Sequence, residues 1–210
     1  MRLRSTLEGL HATFDLIIPR AWRPVDARVP AVEHGSGYSW YFSYAPESPE
    51  PATFGDCLWE LEQLLYDTLE ERPAHDLFLL GYRQGAVLAL ALAAVTAQYL
   101  AGAVAIEGYL PAIRDCSLVD DDLDGLPVLL VNDRSAACVS CVSASALAYT
   151  RETLTSHNAA LTMVDVGRGD GDKGGGAAGC VGRIRAWLET TTVNRGWRQK
   201  RGFSASNRGT

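Results

Sequence analysis

A chain of 210 residues with a net charge of −6 has room for one domain around a single sizeable core. Its 47% hydrophobic and 21% charged residues exclude a wholly disordered, collagenous or coiled-coil protein. The acidic balance excludes a surface that holds nucleic acid by collective charge, yet the charge is unevenly spread: no acid follows Glu189, and Arg195, Arg198, Lys200, Arg201 and Arg208 give the end of the chain +5, leaving −11 for the rest.

Residues 1–20 place Glu8, His11 and Asp15 in an amphipathic pattern without an apolar stretch leading to a small-residue cleavage site, so a cytoplasmic setting is expected. Phe14-Asp-Leu-Ile-Ile18 is the first of five short apolar runs that predict buried parallel strands. A long excursion from Trp22 to Pro51, rich in Pro, Gly, Ser and aromatics, reads as a binding loop or a flexible cover. Apolar spacing of three and four predicts helices over Thr53 to Glu71, Gln84 to Gln98 and Ser143 to His157, with a last one over Arg183 to Leu188. Between them the predicted strands are Asp76 to Leu80, Ala103 to Ile106, Pro127 to Val131 and Leu161 to Val166. The longest apolar run, Ala86 to Ala97, is broken by Thr96 and falls short of the ~20 residues of a bilayer span. Gly167 to Gly179 is a glycine-rich loop after the last strand. The alternation predicts a parallel sheet covered on both faces, with the site at the strand C-termini. Residues 1–190 form that domain and 191–210 a basic, disordered tail.

Gly81-Tyr-Arg-Gln-Gly85 falls at a strand-to-helix turn, the context of a Gly-x-Ser-x-Gly nucleophile elbow, with Arg83 in the central place. His34-Gly-Ser-Gly-Tyr-Ser-Trp40 is a Gly-rich aromatic loop upstream of it, and Leu100-Ala-Gly-Ala-Val-Ala-Ile-Glu-Gly-Tyr-Leu-Pro111 a strand and turn downstream. In this order the segments resemble the α/β-hydrolase superfamily, in its phospholipase/carboxylesterase branch with acyl-protein thioesterase-like and dienelactone-hydrolase-like enzymes. The resemblance implies a three-layer α/β/α sandwich with a mostly parallel sheet of five or so strands, N-terminally shortened. The strand whose His-Gly motif supplies part of the family's oxyanion hole has no counterpart here. The runs at Phe14 and Asp76 are then expected to pair directly, unless the polypeptide starts upstream.

Carried over residue by residue, the family's serine falls at Arg83, its acid at Ala136 with Asp133 nearby, and its histidine at Asp170. A guanidinium cannot attack a carbonyl, so the resemblance implies a pseudohydrolase. Its former esterase pocket, bounded by Tyr38, Trp40, Tyr82, Arg83, Gln84, Glu107, Asp133 and Asp170, would hold a small ligand or a protein partner. Arg83 is read in three ways: ion-paired to Asp170, free to bind an anion, or turned to solvent. The alternatives are an active hydrolase of carboxylic or thioesters using Cys138 with His34, or a serine of the 135–145 loop, and a fragmentary gene product without selected activity. No cofactor or metal is expected. Cys138-Val-Ser-Cys141 lacks a second pair, Asp120 to Asp124 lacks the glycine and closing glutamate of a calcium loop, and the four histidines follow no ligand spacing. Five cysteines, an odd number, are expected as free thiols.

Overall fold

The structure, a computed structural model, describes residues 10, 14–24, 37–72, 76–113, 116–133, 142–166 and 181–192. Its centre is a sheet of four parallel strands in the order β5 (Phe78–Tyr82), β6 (Gly102–Ile106), β7 (Pro127–Asp133) and β8 (Ala160–Val166). Each strand is an apolar run, and β6 is buried along its whole length, as a central strand covered on both faces must be.

Alternate residues feed two cores. Ala103, Ala105, Val128 and Leu130 face one side, where they pack with helices α1 (Pro51–Glu71), α2 (Gln84–Val95) and α3 (Ala144–Ser156). Val104, Ile106, Leu129 and Val131 face the other, where Ile184 and Leu188 of the helix over 181–192, here α4, cover them. The result is the expected α/β/α layering. Helix α2 is apolar around its full circumference, because α1, the sheet and the loop at Tyr109 enclose it on all sides.

Two expectations are corrected. The sheet has four strands among the described residues, not five or so, and the run Phe14 to Ile18 is not a strand of it. Phe14 and Leu16 pack on the second core, Phe14 edge-on to Phe78 at 6.4 Å, but Ile17 and Ile18 stand more than half exposed and no ladder joins this segment to β5. Side-chain burial along one face held the alternating pattern without backbone pairing. The excursion after Trp22 carries two small antiparallel pairs, β1 (Arg23–Pro24) with β2 (Tyr38–Ser39) and β3 (Ser43–Ala45) with β4 (Ser48–Pro49).

Helix α1 begins where Glu50 turns its carboxylate onto the amides of Ala52 (3.1 Å) and Thr53 (2.7 Å), with Pro51 at the first helical position. Those amide hydrogen bonds hold the Glu50 carboxyl below its usual range. A lowered folded-state pKa adds stability above the unfolded glutamate's pKa and loses it as pH falls through the folded one. Glu50→Gln is therefore expected to lower Tm at neutral pH, with the gap to the parent chain closing as pH drops below the glutamate range; thermal melts across pH 3–7 check it.

Candidate functional site

The turn between β5 and α2 is built by glycine. A Cβ on Gly81 would lie 2.1 Å from the carbonyl oxygen of Gly85, so only a bare backbone lets the strand end and the helix start approach this closely. Gly108, beyond β6, repeats the device: its Cβ would lie 2.4 Å from that of Ala86. Between the two glycines of the turn Arg83 is held at φ 51°, ψ −118°, a region that side chains rarely adopt. Its amide donates to the Ile106 carbonyl (2.9 Å), and its carbonyl accepts from Ala86 and Val87. This is the strained conformation expected of the central residue of a nucleophile elbow.

Glu107, one residue past β6, also has positive φ, at 53°. Its amide donates to the Val131 carbonyl (2.8 Å), and its carboxylate, 5% exposed, accepts from Arg83 Nε at 3.1 Å. The Arg83 guanidinium also lies 5.3 Å from the centre of the Tyr82 ring. Burial works to lower the Arg83 pKa, but the hydrogen bond to Glu107 and the neighbouring Tyr82 outweigh it, and the net shift is upward. Burial, with Glu107 close by, raises the Tyr82 phenol. Further along the same ends, Asn132 Nδ2 donates to Asp165 at 3.4 Å, while its buried Oδ1 has no hydrogen-bond partner among the described residues. Arg83, Glu107, Asn132 and Asp165 thus form one polar row across the C-terminal end of an otherwise apolar sheet.

Gln84 ties the segment at residues 39–41 to the elbow. Its Oε1 accepts from Ser39 Oγ (2.9 Å) and the Trp40 amide (3.1 Å), and its Nε2 donates to the Tyr41 carbonyl (3.0 Å). Cys57 donates its thiol to the Trp40 carbonyl, and Trp22 meets Trp40 edge-on at 5.6 Å. Burial raises the Cys57 thiol. The far end of the hairpin is fastened by Glu47, whose carboxylate accepts from the amide and hydroxyl of Ser143, the N-cap of α3. Beneath lie Tyr41 and Tyr109; burial raises both phenols, Tyr109 to about 12.

Of the predicted site residues, Trp40, Tyr82, Arg83, Gln84 and Glu107 converge on the elbow. Tyr38, on β2, is 71% exposed. Asp133 ends β7, in register with Val166. His34, Ala136, Cys138 and Asp170 lie outside the described residues, and with them the predicted Arg83–Asp170 pair. Among the described residues Arg83 pairs with Glu107, which sequence reading placed in the pocket without pairing it. Adjacent strands ending at Tyr82 and Ile106 could have signalled it. Among the described residues, no three His, Cys, Asp or Glu could together hold a metal ion, and Cys57 and Cys116 are free thiols.

Among the solved structures with this architecture are several esterases. The carboxylesterase from Mesorhizobium loti superposes with a TM-score of 0.67 at 18% identity, over 89% of this chain and 81% of its own. Esterase PE8 gives 0.67 at 18%, over 90% and 85%. The Bacillus cereus carboxylesterase gives 0.60 at 21%, over 77% and 72%. No family model and no curated protein matches the sequence. The chain has the α/β fold of these α/β-hydrolase esterases, with its parallel sheet flanked by helices.

Removing one member of the Arg83–Glu107 pair strands the other. Arg83→Met should cost about 2 kcal/mol in urea unfolding, less than the about 3–5 of a fully buried pair because Arg83 is 39% exposed. Arg83→Gly should cost ~1 kcal/mol less, since glycine relieves the positive φ. Equal losses for the two variants would mean the elbow carries no strain.

Proposed function

We propose that this chain is a catalytically degenerate α/β-hydrolase, a pseudohydrolase, that binds a small ligand over the elbow between β5 and α2. The observation that carries the reading is Arg83. Its positive φ between the glycines of the turn supports reading it as the counterpart of the resembled family's nucleophile, and its side chain pairs with the buried carboxylate of Glu107. A guanidinium stays protonated and has no lone pair to offer a carbonyl carbon. The surroundings still favour a polar small molecule. The first turn of α2 opens at the elbow, Trp40 borders it, and the ion pair, being self-neutralised, makes no demand for a charged ligand.

Hydrolysis of short and medium p-nitrophenyl esters tests this directly. The natural chain is expected to be silent and to leave a fluorophosphonate probe unreacted, while carboxylic esters raise its Tm without being turned over. The triple substitution Arg83→Ser, Ala136→Asp and Asp170→His puts the family's triad back and is the positive control. Turnover by the natural chain, abolished by Cys138→Ala, would overturn the pseudohydrolase reading in favour of a relocated nucleophile.

A further inference from the structure

Strand β8 forms one edge of the sheet, and among the described residues no strand pairs with its outer side. It runs seven residues, Ala160–Val166, in unbroken register with Pro127–Asp133. Edge strands are ordinarily kept from recruiting other strands by a proline, a lysine, a bulge or a covering element. β8 holds no proline, lysine or bulge, and Ala160, Thr162, Met163 and Asp165 are exposed, so neither face of the strand is closed over. The opposite edge differs. No residue of β5 is exposed, and Phe14 and Leu16 share the second core with its Phe78, Leu80 and Tyr82.

The Ala160 amide donates to the Leu126 carbonyl at 2.9 Å, which fixes the direction of the backbone groups that follow. In a parallel ladder alternate residues bond to the same neighbour, so Ala160, Thr162, Val164 and Val166 turn to β7. Met163, at the midpoint, presents its N–H and C=O outward. The sequence around it suits pairing with itself: an antiparallel register centred on Met163 sets Met163 against Met163, Thr162 against Val164 and Leu161 against Asp165. The strand's only charge then faces leucine, and the two Asp165 positions stand about 13 Å apart along the strands, beyond the Debye length of about 8 Å at physiological salt. Parallel pairing in register would set Asp165 directly on Asp165, which like charge disfavours. Met163 shares its sheet face with Leu161, the face that α3 covers, and Tyr149 on that helix is exposed as well.

We propose that β8 is the interface of a two-fold dimer, in which a second copy of this chain adds its own β8 antiparallel and two four-stranded sheets become one continuous sheet. Each Met163 amide donates to the carbonyl of the other Met163, and the two thioether side chains meet across the axis. Two-fold pairing uses the same strand on both copies, so association closes at the dimer and leaves no β8 edge open. The interface is independent of the ligand reading above.

Sedimentation equilibrium of the full chain at micromolar concentration tests it, with an expected mass of twice 22.7 kDa. Met163→Lys sets two cations on the axis and should weaken the dimer about tenfold while the melting curve still reports a folded domain. Met163→Cys under mild oxidation reads the register, and decides the matter where the lysine variant fails to fold. Its two Cα atoms, about 5.5 Å apart in a hydrogen-bonded pair, suit a disulfide. Trypsin cuts after Arg151 and Arg168, and the peptide between them has no cysteine of its own, so that peptide linked to itself identifies the bond. Asp165→Cys is expected to give no such link. A monomer, a dimer untouched by Met163→Lys, or self-linking of Asp165→Cys in place of Met163→Cys would each overturn the proposal. So would a mass that climbs without limit as concentration rises, the mark of open-ended pairing.

Discussion

The closeness of bare backbone at the strand ends is the constraint on which the rest of this molecule depends. Gly81 against Gly85 and Gly108 against Ala86 let α2 descend onto the ends of β5 and β6 with no side chain between. That approach sets Arg83 at positive φ with its amide on the Ile106 carbonyl, and places Glu107, also at positive φ, within reach of its guanidinium. An alanine at either glycine would push helix and sheet apart and take the ion pair with it.

The turn between β5 and α2 holds its central side chain in a strained conformation, and that side chain performs electrostatic work. Here it sets a cation over Tyr82 and onto a buried carboxylate, so the Glu107 charge is neutralised where water has little access. Gln84 extends the arrangement outward. With both ends of its amide engaged by residues 39–41, the first residue of α2 fixes the covering segment against the elbow, and Glu47 fixes its far end against α3.

Much of the architecture was legible in the chain because the sheet is parallel and buried on both faces. Runs such as Ala103 to Ile106 and Pro127 to Val131 have no polar side to confuse the pattern, and the helices between them announce themselves by period and by caps such as Ser143. Phe14 to Ile18 misled because alternation reports which side chains are covered, and Phe14 and Leu16 are covered without the backbone joining a ladder. The hairpins after Trp22 were hidden because their strands are two or three residues long, held by turns and by side chains distant in sequence. Arg83 in the elbow could be read directly from the flanking glycines. Its pairing with Glu107 is a property of neighbouring strand ends, which no local pattern records.

Helix α2 also bears on how the chain comes into being. Its circumference is apolar throughout, and the groups that enclose it come from both sides of it in the sequence: Phe54 and Leu65 of α1 before, Ala105, Tyr109 and Leu154 after. At the pace of translation, about 5–20 residues per second, Leu154 emerges on the order of several seconds after α2 itself. For that interval α1 can shield one flank of the helix and the others stay wet. A nascent chain halted between Val95 and Leu154 would present an uncovered greasy rod, a natural target for the holding chaperones that meet polypeptides at the ribosome exit.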